Sequence, residues 1–351
     1  MIAGNFNVGT GSSSSVIDKI SDSVNDHFKN YKFSDEITLE TLNGGCLNDL
    51  KNIDFKSLDV LLWAPNISND EEKIIPNIKL INPHLFLISS KRVVEKEYNE
   101  SDIVGRLLKT RSNLGIMITK SNLYNFKLLD PLGNCYSNTE DINVLSKSLV
   151  DRVLFIKSLK RVGSVNVGEK RDFVINEDFL KFVKYSAKEF TKHVNAINPN
   201  RLLGNASTRC MFGFPAEKNE GRIFVTQRNI DKELIKSSGF VEVSASENVI
   251  EYYGDKKPSV DSPIQVKLFN YYKNINYMVH GHVYIESAEF TKHKLPCGYI
   301  EEFDEIIAMH PSRDSSLIVI NLLGHGCILM SSDVESLWSL PAYTSRDFPE
   351  Y

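Results

Sequence analysis

Cysteine is scarce in this chain and widely scattered. Its five residues, Cys46, Cys135, Cys210, Cys297 and Cys327, form no Cys-x-x-Cys pair. That pattern excludes a cysteine-built zinc finger and a disulfide framework, and the odd count predicts reduced thiols. Positive charge is not in excess either. Against 45 Asp and Glu stand 41 Lys and Arg, a net charge of −4, so nothing favours nucleic acid or an anionic membrane surface as partner. No apolar run reaches the ~18 residues of a membrane span. The opening Met1 to Asn7 lacks the basic and apolar regions of a secretory signal, so a cytoplasmic protein is expected.

What is present is an ordinary globular composition, 42% hydrophobic and 25% charged, over a length that suggests two domains. Residues 1–160 alternate short apolar runs with helical patterns. Strands are predicted at 1–8, 36–40, 60–63, 85–88, 115–118 and 126–130. Helices are predicted at 16–28, near 69–81 and 101–109, and at 141–161. On the first helix Val16, Ile17, Ile20, Val24 and Phe28 fall on one face at helical spacing. The β-α-β rhythm predicts a Rossmann-like α/β domain, a mostly parallel sheet with helices on both faces.

The polar, glycine-containing segment 161–172 reads as a linker. From 173 to 351 the pattern changes to one long helix, 177–194, followed by shorter strands, as in an α+β or α/β/α unit.

Between the first strand and the first helix lies Gly9-Thr10-Gly11-Ser12-Ser13-Ser14-Ser15. Backbone amides of Gly9, Gly11 and Ser12 could cradle a phosphate or nucleotide at the helix N-terminus. The loop is neither a P-loop nor a Gly-x-Gly-x-x-Gly turn, and it reads equally as a helix cap. Asn66 to Glu72 follows a strand and reads either as ligand loop or as helix cap. Ser89-Ser90-Lys91-Arg92 closes another strand and brings two positive charges to that sheet edge.

Histidine supplies the sharper signal. His280 and His282 stand two apart in an apolar run, 277–285, that reads as a strand, so their side chains share a face. His325 ends a second apolar run between Gly324 and Gly326. Three imidazoles leaving one position open are the ligand set of a catalytic rather than a structural zinc ion. Unrelated core histidines are the plain alternative.

Five short segments occur in a fixed order: Gly204-Asn205-Ala206-Ser207-Thr208-Arg209, a strand ending at Thr226, Pro258-Ser259-Val260-Asp261, His280-Gly281-His282, and Gly324-His325-Gly326. Over residues 175–345 this series resembles the class II aldolase/adducin family. The resemblance implies an α/β/α domain, usually in a homotetramer. It implies a divalent metal, typically zinc, on His280, His282 and His325. The implied activity is that of a metal-dependent lyase (an aldolase, or a related epimerase, dehydratase or decarboxylase). It would act on a small hydroxycarbonyl or sugar derivative through a metal-stabilised enediolate.

Asp261 stands where the family has its catalytic Glu, one methylene longer. A capping role at the start of a helix competes for the same residue. Gly204, Asn205, Ser207, Thr226 and Ser259 match the family's substrate-binding loops. The second loop, Thr226-Gln227-Arg228-Asn229, lacks the usual glycine, and Arg228 or Arg209 could supply charge there. Tyr299 is the nearest match to a tyrosine that protonates substrate from a neighbouring subunit. Glu301, Glu302 and Glu305 read as the exposed face of a helix. Two other functions compete: a non-catalytic, adducin-like assembly protein, and an enzyme whose chemistry lies in the N-terminal half.

Overall fold

The computed structural model describes residues 3–6, 14–31, 37–44, 50, 53–65, 78–93, 100–120, 122–193, 204–210, 221–246, 249–340 and 342–345. The chain divides into two compact units, Met1–Phe155 with Ala196–Asn198, and Ile156–Asn195 with Pro199–Tyr351.

The first unit runs β1 (Ala3–Phe6), α1 (Ser15–Asn30), β2 (Leu39–Asn43), β3 (Val60–Ala64), β4 (Phe86–Val93), α2 (Glu100–Thr110), β5 (Leu114–Lys120), β6 (Tyr124–Leu129), β7 (Cys135–Thr139) and α3 (Ile142–Ser158). The predicted stripe on α1 is the buried one: Val16, Ile17, Ile20, Val24 and Phe28 are at most 6% exposed. At the start of α1 the side-chain amide of Asn43 accepts from the Ser14 N–H and donates to the Ser14 carbonyl. The helix is thereby tied to β2.

The sheet corrects the Rossmann-like expectation. Its order is β1-β2-β3-β4-β5-β6-β7, parallel through β5 and antiparallel thereafter. A doubly wound sheet reverses its strand order, and the reversal opens the crevice where ligands bind. The described strands contain no such reversal. Ser89 to Arg92 lies inside β4 rather than at its end. The loop holding Gly9, Gly11 and Ser12 falls outside the described residues, as does Asn66 to Glu72.

The second unit runs β8 (Gly163–Gly168), α4 (Glu177–His193), β9 (Asn205–Arg209), β10 (Ile223–Thr226), β11 (Phe240–Ser246), β12 (Val249–Tyr253), α5 (Ser262–Tyr271), β13 (Tyr277–Gly281), β14 (Tyr284–Ile285), α6 (Glu301–Met309), β15 (Leu317–Leu322), β16 (Gly326–Ser331), α7 (Val334–Trp338) and β17 (Tyr343–Thr344). The segment read as a linker therefore contains a strand, β8, paired in parallel with β12. Its alternating valines suit an edge strand, and polarity alone concealed that.

Eight strands form one sheet in the order β15-β16-β13-β9-β10-β11-β12-β8. All neighbours but β12 and β8 are antiparallel. Each face buries its own apolar layer. Phe179, Phe182 and Phe190 of α4 and Leu337 of α7 pack with Phe224, Val279 and Leu329. Leu268 and Phe269 of α5 and Ile306 of α6 pack with Val225, Met278 and Ile328 on the other face. The result is the expected α/β/α sandwich. Side chains alternate along a strand, so His280 shares the face of Met278, toward α5 and α6. Among the described residues no helix is long and apolar enough to cross a membrane.

Candidate metal centre

Register brings the centre together. β13 lies between β9 and β16, with His280 opposite Asn205 on one side and Gly281 opposite Cys327 on the other. The tight turn between β15 and β16 carries His325 alongside that same end of β13. Gly324 adopts φ 73° in this turn, and the His325 N–H donates to the Leu322 carbonyl. Two further hydrogen bonds pin the turn: Gly324 N–H to the Tyr284 hydroxyl, and Leu323 N–H to the Thr291 hydroxyl, both 2.8 Å.

The strand predicted over 277–285 is broken. It ends at Gly281, bends at His282 and Val283, and resumes as β14. Close backbone packing accounts for this. A Cβ on Gly281 would lie 2.5 Å from the Phe190 ring, and one on Gly326 would lie 2.0 Å from the Gly281 carbonyl oxygen.

The three histidines still converge. His280, His282 and His325 are 2%, 7% and 0% exposed, and their ligand nitrogens lie within 4.8 Å of one another. His280 Nδ1 is 2.8 Å from the Cys327 carbonyl. A carbonyl only accepts, so Nδ1 carries the hydrogen and Nε2 offers its lone pair. His325 Nδ1 is 2.7 Å from Glu302 Oε1, which likewise leaves Nε2 for an ion. A carboxylate behind a ligating imidazole fixes its tautomer and raises its basicity. Burial opposes charge on His325, but the Cys297 thiol and the Glu302 carboxylate outweigh it and hold the imidazole well above its ordinary range. Burial also raises the Glu302 carboxyl, against the pull of His325.

Asp261 is the N-terminal flanking residue of α5, yet its side chain caps nothing. Instead Asp261 Oδ2 accepts from Asn205 Nδ2 at 2.8 Å and lies 4.0 Å from His280 Nε2. Asp261 Oδ1 is buried with no hydrogen-bond partner. Asn205 also donates to Ser259 Oγ at 3.1 Å, and Gln265 donates to its carbonyl oxygen. Three converging imidazoles, two of them with hydrogen-bonded outer nitrogens, beside a buried carboxylate oxygen, suit a divalent cation.

The other predicted residues divide by exposure. Gly204, with φ +101°, presses on β13, where a Cβ would meet the His280 carbonyl oxygen at 2.3 Å. Ser207 and Thr226 are both 0% exposed, and the Thr226 hydroxyl accepts from the Ala206 N–H. Both are built into the sheet. Where a glycine is usual in the second loop, Asn229 takes φ 58°, a conformation Asn tolerates better than most residues. Arg209 hydrogen-bonds the carbonyls of Phe269 and Ile275, and Arg228 is exposed. Tyr299 is partly buried, in an isolated bridge with Arg161.

Three residues escaped the sequence reading. Glu302 corrects its expected exposure, being 3% exposed against His325. Cys297 forms a compact group with Asp261 and His325. Lys232 is 6% exposed. Burial lowers its ammonium to about 8, against the opposing pull of Asp231 and Asp261. No motif marked any of them.

Residues 200–310 match the family model described as the Class II Aldolase and Adducin N-terminal domain. That span holds every candidate residue of the centre except His325, and the C-terminal half resembles this family as its motif order implied. No curated protein matches the chain. Among solved structures, an L-fuculose 1-phosphate aldolase is 16% identical, with 47% of this chain and 84% of that one covered and a TM-score of 0.33. An aldolase II superfamily protein from Pseudomonas syringae is 14% identical, with 45% and 64% covered and a TM-score of 0.30. A DNA/pantothenate metabolism flavoprotein from Streptococcus pneumoniae is 11% identical, with 44% and 98% covered and a TM-score of 0.33.

Proposed function

We propose that the C-terminal unit is a divalent-metal enzyme of the class II aldolase type, acting on a small hydroxycarbonyl compound such as a sugar derivative. The observation that carries this reading is the convergence of three buried imidazoles, from the end of β13 with the bend after it and from the β15–β16 turn, beside the carboxylate of Asp261. His280, His282 and His325 would hold the ion, with zinc favoured by imidazole ligands though not chosen by affinity alone. When bound, the ion supplies Lewis acidity toward a carbonyl oxygen and the charge developing on it.

The protein's own part is proton movement and positioning. Asp261 Oδ1 takes the proton from the carbon beside the carbonyl and returns it, as a general acid/base. Asn205 holds the other oxygen of that carboxylate and sets its direction. Gly204, Asn205 and Ser259 border the substrate. Tyr299 is the candidate proton donor at a subunit boundary of a homotetramer, in a cytoplasmic protein.

Elemental analysis of untagged protein beside His282→Ala tests the metal. About one ion per chain in the wild type, absent from a folded variant, is expected. Deuterium uptake from heavy water into hydroxyacetone or dihydroxyacetone, followed by proton NMR, tests the chemistry. The reading fails if the metal-loaded wild type exchanges no faster than Asp261→Asn across a panel of hydroxycarbonyl compounds.

A further inference from the structure

Cys297 reaches the centre from the segment that leads into α6. Its sulfur, a carboxylate oxygen of Asp261 and a ring nitrogen of His325 lie within 4.8 Å of one another. His325 belongs to this group and to the three-histidine group alike, so the two ligand sets adjoin through one imidazole.

Asp261 adds an independent sign of a missing partner. It is 6% exposed, and its Oδ1 has no hydrogen-bond partner.

The placement of the thiol is structurally imposed. Gly298, next in sequence, has φ +81°, and a Cβ there would lie 2.7 Å from the Val260 carbonyl oxygen. The backbone after Cys297 is thus pressed against the residue before Asp261. The hydrogen bond from Ile300 N–H to the Lys160 carbonyl anchors the far side of the segment. Cys297 remains partly exposed.

We propose that Cys297 is a fourth protein ligand of the cation held by His280, His282 and His325, closing the open position while substrate is absent. The proposal rests on the metal-dependent reading above. The thiol loses its proton to solvent as the sulfur binds the ion, and regains one when substrate oxygens displace it. Asp261, shorter than a glutamate, is left free for proton transfer. A soft sulfur ligand also biases the site toward zinc or cobalt and away from magnesium or manganese.

Cobalt(II) is the probe. The full chain is stripped with a chelator, reloaded with cobalt and read by absorption and by metal content. The wild type is expected to show a sulfur-to-cobalt charge-transfer band in the near ultraviolet. Cys297→Ser is expected to lose the band while keeping its cobalt on the histidines. Equal spectra for wild type and variant overturn the proposal and leave the three-histidine reading standing. A wild type that binds no cobalt overturns both.

Alkylation of the unaltered protein by iodoacetamide gives a second reading, free of any folding effect. Zinc is expected to slow alkylation of Cys297, because coordination engages the thiolate that would otherwise attack the reagent. The exposed Cys135 of the first unit should be unaffected. No protection of Cys297 overturns the proposal.

Discussion

Asn205 Nδ2 donates to Asp261 Oδ2 at 2.8 Å, and the two residues arrive from different layers, one from β9 and one from the start of α5. The contact aims a buried carboxylate at the histidines rather than at the helix it precedes. Asn205→Ala should misdirect that carboxylate and leave it poorly solvated, costing about 2 kcal/mol of stability. Proton exchange into substrate should fall in the same variant while metal content holds. Urea unfolding and metal analysis on one preparation check both halves.

Glu302→Gln removes the charge behind His325 without changing shape. Zinc affinity is expected to drop by roughly 10- to 100-fold, as for other partners of ligating imidazoles. Competition against a chromophoric chelator measures it. An unchanged affinity would show that the 2.7 Å contact serves packing alone.

Lys232 makes a stability prediction with a definite sign. Its folded pKa is about 8, below the ~10.4 of an unfolded lysine. Between those values the unfolded chain binds the extra proton, so this side chain makes stability rise with pH from about 8 to about 10.4. Below pH 8 it costs about 3 kcal/mol. Lys232→Met should therefore be the more stable protein at pH 7 and lose that advantage near pH 10. Paired unfolding curves at the two pH values isolate the effect from other titrating groups.

Two glycines should respond in opposite directions to alanine. At Gly204 a Cβ would meet the His280 carbonyl oxygen at 2.3 Å with φ at +101°. Gly204→Ala should cost about 3 kcal/mol and displace the strand that carries His280, reducing metal content. At Gly105, inside α2, a Cβ meets nothing within 4 Å. Gly105→Ala should stabilise by about 1 kcal/mol on helix propensity. Thermal melts of the two variants beside wild type check the contrast.

Local patterns settled a good deal. The stripe on α1, the extent of α4 and each of the motifs met in order from Gly204 to His325 were legible, because each is written in one short continuous stretch of sequence. Asp261 was legible as a candidate, but its neighbours gave two readings, cap or catalytic carboxylate. The structure removes the capping hydrogen bond, since the side chain accepts from Asn205 instead; the catalytic role is the one proposed above.

What the sequence by itself determined is the inventory: two histidines two apart in one predicted strand and a third at the end of another apolar run, a carboxylate at a helix start, and the periodicities that make helices and strands. Tertiary structure alone decided which residues meet. Glu302 sits among charges that read as a solvated helix face, Cys297 in a polar connector and Lys232 in a charged loop. Their burial comes from strand pairings and helix packing spanning tens of residues, which no local period records. The same cause hid the strand order of the first unit. Alternation of strand and helix fixes neither which strand lies beside which nor whether the order reverses. Hydrogen bonding between distant segments makes that choice.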